Sequence, residues 1–146
     1  MNKLLVLVFI FSAGLKANAQ SFKLDYFSKV PAAIKDCSAL YTYDTTALKK
    51  KKYIIVADFQ NLAFITVAGK KISLTLGDTK TEGKNNISNY SGGGYNVVLN
   101  THSTKTSASA SGKDQEEGTM MITKGNSKLS FKIHGESGCT GKGEQN

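Results

Sequence analysis

The chain contains no arginine, so lysine alone supplies its positive charge: 19 basic residues against 11 acidic ones give a formal charge of +8 over 146 residues. Arginine grips phosphate and guanine through paired hydrogen bonds, whereas lysine is a strongly hydrated point charge. The composition therefore argues against nucleic acid as a partner. It reads instead as a solvated surface with weak attraction for anionic polymers. Cysteine and histidine are scarce, at two each. His102 and His134, with Cys37 and Cys139, offer no ligand spacing of the zinc kind, so neither a metal nor another cofactor is expected. Long apolar runs are missing too. The longest, Leu4 to Ala13, is about half of the roughly 20 residues that a membrane-spanning helix needs, and Lys16 cuts it off.

That short run, with Lys3 before it and Ala17-Asn18-Ala19 after it, has the form of a signal peptide over residues 1–19. Cleavage after Ala19 leaves 127 residues with a formal charge of +6, because Lys3 and Lys16 are removed. Such a chain fits one domain, residues 20–139. Residues 140–146 carry no apolar side chain and read as a disordered tail. The expected destination is the periplasm or the exterior, without a membrane span. In that oxidising setting Cys37 and Cys139 are expected to pair, closing a loop of about 100 residues and tying the first strand region to the last.

Between the cysteines the pattern is that of strands, with a short helix before them. Pro31, the only proline, suits the first turn of a short helix over about Pro31 to Asp36. Ser38–Tyr43 has strand composition, and Lys49–Lys52 reads as a solvated loop. Tyr53–Phe59 and Leu62–Val67 are continuous apolar runs of strand length, with Gln60-Asn61 as either a turn or a bulge. Lys71–Leu76 alternates, with Ile72, Leu74 and Leu76 inward. Gly77–Ser88 is polar and reads as a loop, and Tyr95–Thr101 alternates again. His102–Gly112 is a low-complexity run that fits either an edge strand or a loop. Gly118–Thr123 and Ser127–His134 form a hairpin around Lys124-Gly125-Asn126, with Leu129, Phe131 and Ile133 inward and His134 outward. The sum is a mainly β, antiparallel small barrel or sandwich of seven to eight strands with one short N-terminal helix. The barrel is favoured because closure removes edge strands.

The chemistry of catalysis is hard to find in this pattern. Ser91-Gly92-Gly93-Gly94-Tyr95 invites comparison with a phosphate loop, but these glycines open a strand rather than a helix, and no G-K-[ST] follows. Ser91 is not in a G-x-S-x-G elbow, and no pair of carboxylates is singled out. An enzyme is not expected. The residues fit a binding domain for a protein or an envelope polymer, with Ser91 to Tyr95 as the contact loop; a structural role in the envelope is the plainer alternative.

An early cysteine followed by strands, a Ser-Gly-x-x-Tyr segment, a strand closing in Lys-Gly and a final cysteine together resemble the small bacterial inhibitors of c-type lysozyme. The resemblance spans about Cys37 to Cys139. It implies an eight-stranded barrel that presents the Ser-Gly-x-x-Tyr loop and a lysine-containing loop to the lysozyme cleft, where serine and lysine engage the catalytic carboxylates. Ser91, Gly92 and Tyr95 match the first motif and Lys124-Gly125 the second, so the resemblance implies Ser91, Gly92, Tyr95 and Lys124 as binding residues and lysozyme as a partner. The Gln20 start and the closing Gly135–Cys139 segment also look like small exported proteins of Bacteroidetes-type bacteria, a likeness that implies a compartment and no activity.

Overall fold

The computed structural model describes residues 22–35, 37–108 and 112–139. The expected signal peptide and tail lie outside the described residues. Eight strands run up and down in chain order: β1 (Cys37–Thr42), β2 (Ile55–Asp58), β3 (Leu62–Val67), β4 (Lys70–Glu82), β5 (Asn85–Gly92), β6 (Tyr95–Lys105), β7 (Asp114–Lys124) and β8 (Ser127–Cys139). Each pairs antiparallel with the next, and β8 returns to β1, so the sheet closes as a barrel rather than a sandwich. Closure satisfies every sheet edge within the chain. Eight strands leave an interior wide enough for a filled core or for one small ligand.

The alternating residues fall as their pattern requires. Ile55, Ala57, Ile65, Leu74, Val97, Leu99, Met120, Ile122 and Ile133 line the interior and are almost wholly buried. A second apolar cluster lies outside the wall, where Leu40, Tyr53 and Val56 are covered by Phe27, Val30, Ile34 and Leu48. The segment before β1 thus acts as a strap. It also reaches one end of the barrel, where Leu24 bridges to Val67, and the Asp25 carboxylate accepts the Gly69 amide at 2.8 Å.

Two local expectations need correction, and one open alternative is decided. The short helix, α1, lies at Thr45–Lys49, where Asp44 caps it by accepting the Ala47 amide at 2.8 Å. Around Pro31 the chain makes a turn, closed by the Ile34 amide on the Pro31 carbonyl; Asp36 lies outside the described residues. Asp-Thr-Thr is a strong helix start, and it competed successfully with the proline signal. Gly77–Ser88 is a long hairpin of β4 and β5 rather than a loop, because backbone pairing across the pair does not require apolar side chains. Gln60-Asn61 is a turn: Asp58 Oδ1 accepts the amides of Gln60, Asn61 and Leu62 at 3.0, 2.9 and 2.8 Å.

Among the described residues no helix is long and apolar enough to cross a membrane. The outer wall of β8 carries Lys128, Ser130, Lys132 and His134, a polar face unlike the apolar band of a membrane barrel.

Candidate functional site

The two ends of the barrel are made from opposite ends of the same strands. One end gathers the β3–β4, β5–β6 and β7–β8 turns. The other gathers the disulfide, the β2–β3 turn and the β4–β5 hairpin. The motif residues Ser91, Gly92, Tyr95 and Lys124 all belong to the turn end.

Gly93 and Gly94 form the two-residue turn between β5 and β6 with φ of 58° and 79°. Two successive left-handed residues are what a tight hairpin with the natural strand twist demands, and glycine adopts them without strain. Tyr95, the first residue after the turn, points into the barrel and is 4% exposed. Its ring meets Phe22 edge-on at 5.5 Å between centroids, so the strap seals this end. Tyr95 is paired in register with Lys124 across β6 and β7. The Lys124 ammonium donates to Tyr95 Oη at 3.1 Å and sits 4.4 Å from the ring centroid. An exposed cation–π contact contributes about 0.5–1 kcal/mol, enough to orient the lysine at the rim but too little to hold the fold.

Gly92 faces inward, where a Cβ would run into the backbone of Ser73 and Leu74. Ser91 faces the other way. It is exposed on the outer wall of β5, flanked by Thr75 and Asn96. The structure thus brings Tyr95 and Lys124 into contact and leaves Ser91 on the same rim, two strands from Lys124 and on the opposite face of the sheet. Lysines crowd this end: Lys70 and Lys71 follow the β3–β4 turn, Lys128 follows the β7–β8 turn, and Lys50–Lys52 follow α1.

The disulfide end holds a group of residues that the sequence reading did not single out. Cys37 and Cys139 are opposite one another on β1 and β8 and are joined by the expected disulfide. Inside the barrel at this end lies a cavity of about 210 Å³. Tyr41, Gly135 and Glu116 stand level on β1, β8 and β7. The Tyr41 ring crosses over Gly135, where a Cβ would collide with it, and its hydroxyl donates to one Glu116 oxygen. Ser137 donates to the other. A bulge between Leu76 and Asp78 keeps the alternation in step, turning Asp78 out toward Asn89 and Thr79 into the cavity.

Burial holds the Tyr41 phenol well above its ordinary pKa, with the Glu116 charge adding to the effect. Burial also raises Tyr90, with the charge of Asp58 second. Both phenols therefore stay hydrogen-bond donors at neutral pH. The signal for this site was present in the alternation. Extending β7 back from Gly118 puts Glu116 on the same inward face as Gly118 and Met120, but the charged stretch Lys113–Glu117 obscured the strand.

The two histidines also come together in a way that spacing concealed. His102, Glu117 and His134 are level on β6, β7 and β8, with His102 Nε2 3.5 Å from Glu117 Oε1. Among the described residues no three such side chains converge as a metal site. Comparison with family models, with curated proteins and with solved structures finds no match to this chain.

Proposed function

We propose that the chain is an exported, non-enzymatic binding barrel that presents its turn end to a protein partner, and that this partner is a c-type lysozyme. The observation that carries the reading is the contact of Tyr95 with Lys124. Two motif residues far apart in sequence meet at one end of an eight-stranded barrel, which is the arrangement that the resemblance implies. Ser91 lies at the same end of the barrel, on the outer face of the wall two strands from Lys124. Lys124 at the rim can meet a pair of carboxylates locally, while Lys70, Lys71 and Lys128 make the turn end basic as a whole, which slows rather than steers encounter with a basic lysozyme. The disulfide supports export, because such bonds persist in oxidising compartments.

Turbidity measurement of lysozyme acting on bacterial cell walls tests the reading. Micromolar purified protein is expected to slow clearing by a hen-type enzyme. Ser91→Ala and Lys124→Ala should each weaken inhibition about tenfold, since loss of a charged hydrogen-bonding partner typically costs about 1.5–3 kcal/mol. Both residues are exposed, so the variants should remain folded. A folded protein that leaves clearing unchanged would remove lysozyme as the partner. Inhibition that survives both substitutions would remove the turn end as the contact surface.

A further inference from the structure

We propose that the cavity at the disulfide end is a separate binding site for a small organic cation of the alkylammonium type, with Glu116 as its counter-charge. The lining is selective in a way the whole chain is not. Lysines outnumber acidic residues overall, yet the cavity is lined by Asp58 and Glu116 and by no lysine. Among the described residues neither carboxylate has an ion-pair partner.

Glu116 is held rather than neutralised. Tyr41 and Ser137 each occupy one of its oxygens with a hydroxyl donor, fixing the carboxylate while leaving further acceptor capacity on both. Tyr41 can do this only because Gly135 leaves its path open. An ammonium brings three donors, and the buried Thr101 hydroxyl in the same lining, which also hydrogen-bonds with the Tyr41 phenol, offers a further acceptor. Leu76 and Leu99 supply an apolar wall for an alkyl chain. Phe59 at the cavity edge is 52% exposed, one of two large hydrophobic residues so exposed among the described residues, and a ligand chain would cover it. Position and chemistry agree: anions meet two carboxylates, and neutral alcohols gain only the apolar part.

This site is at the opposite end from Tyr95 and Lys124, so it stands or falls independently of lysozyme binding. The test is an amide NMR titration of the intact, oxidised protein with n-pentylammonium chloride, with pentanol and sodium pentanoate as matched controls. Saturable shifts are expected at Tyr41, Thr101, Glu116 and Ser137 with the amine alone, while Ser91 and Lys124 stay unmoved. Glu116→Gln should weaken binding at least tenfold. Ser88→Leu, which adds an apolar side chain to the cavity lining on a different strand from Glu116, should weaken it and decides the matter if Glu116→Gln does not fold. Glu117→Gln on the outer wall should change nothing. Equal binding of pentanol, non-saturating shifts spread over surface carboxylates, or unchanged affinity in the folded Ser88→Leu variant would overturn the proposal.

Discussion

The turn end and the disulfide end share eight strands but spend their interior differently. At the turn end the inward positions are aromatic and apolar, and a strap from outside the sheet closes over them: Phe22 lies on Tyr95 and Leu24 bridges to Val67. At the disulfide end hydroxyls and the Glu116 carboxylate share a cavity with an apolar wall of Leu76 and Leu99, and a covalent bond on the wall does the closing. A packed end gains stability from burial and leaves only its rim for recognition. An end with a polar cavity gains less from burial and depends on cross-links to keep its shape. The charge is divided less sharply: Lys70, Lys71, Lys124 and Lys128 stand at the sealed rim, while Asp58, Glu82, Asp114 and Glu116 lie at the other end among Lys80, Lys84, Lys105 and Lys113, of which Lys80 and Lys113 are tied to Glu82 and Glu136 at 2.6 Å each.

The largest expected effect comes from breaking the wall bond. Cys37 and Cys139 are 102 residues apart, and closing a loop of that length contributes roughly 4–5 kcal/mol in the chain-entropy account. Replacing both with serine should lower the unfolding free energy by about that amount in a denaturant titration. Hydrogen exchange should accelerate at Ser38–Leu40 and Glu136–Gly138, where β1 and β8 pair beneath the bond, and change little at Tyr95 and Lys124. Equal acceleration at both ends would mean that the barrel opens as one unit and that the two ends are not separately closed.

A smaller effect separates the ends by mechanism. Gly135→Ala places a methyl group against the Tyr41 ring and the Leu40 carbonyl. Overpacking of this kind costs about 1–3 kcal/mol. It should also release Tyr41 from Glu116, seen as a shift in tyrosine near-ultraviolet absorbance. Gly94→Ala meets no atom within 4 Å, but it forces alanine to φ of 79° at a cost of about 1–2 kcal/mol. Gly135 resists a side chain by crowding and Gly94 by backbone geometry. Raising the temperature of a melt will not distinguish them, but pairing each change with Tyr41→Ala will. That partner should relieve the part of the Gly135 cost that comes from the ring, leaving the contact with the Leu40 carbonyl, and should leave the Gly94 variant unaffected.

The difference between the ends also explains what the sequence made legible. The sealed end is written in local signals: alternation in Lys71–Leu76 and Tyr95–Thr101, a glycine turn between strands, and a hairpin around Lys124-Gly125. Each is visible within a short window, and the resulting barrel class, inward residues and motif positions follow from them. The hold on Glu116 in the cavity is assembled from β1, β7 and β8, through Tyr41, Glu116 and Gly135, which are level only after the barrel has closed. No window contains that register. The same holds for His102 and His134, whose spacing of 32 residues hides their shared level across Glu117. Helix placement was missed for a local reason: the Asp44 cap outweighed the proline, and the lysines that follow are compatible with a helix end.

The smallest effect should appear only in alkali, and it tests whether the disulfide end is held by protonated phenols. Tyr53 donates to Glu136 at 3.4 Å on the outside of the wall, where Lys113 also binds that carboxylate. Burial, then the Glu136 charge, pushes the Tyr53 phenol up to about 12 from an ordinary 10.0. The folded protein therefore holds this proton more tightly than the unfolded chain does. Its contribution is fully present below pH 10 and is lost as pH rises from 10 toward 12, because the unfolded state ionises first. Tyr53→Phe should cost about 0.5 kcal/mol at neutral pH through the lost hydrogen bond. Above pH 10 its unfolding free energy should fall less steeply than that of the unaltered protein, and the two curves should converge. Parallel curves would mean that Tyr53 ionises alike in both states, and that the wall beside the cavity is held by Lys113 and the disulfide alone.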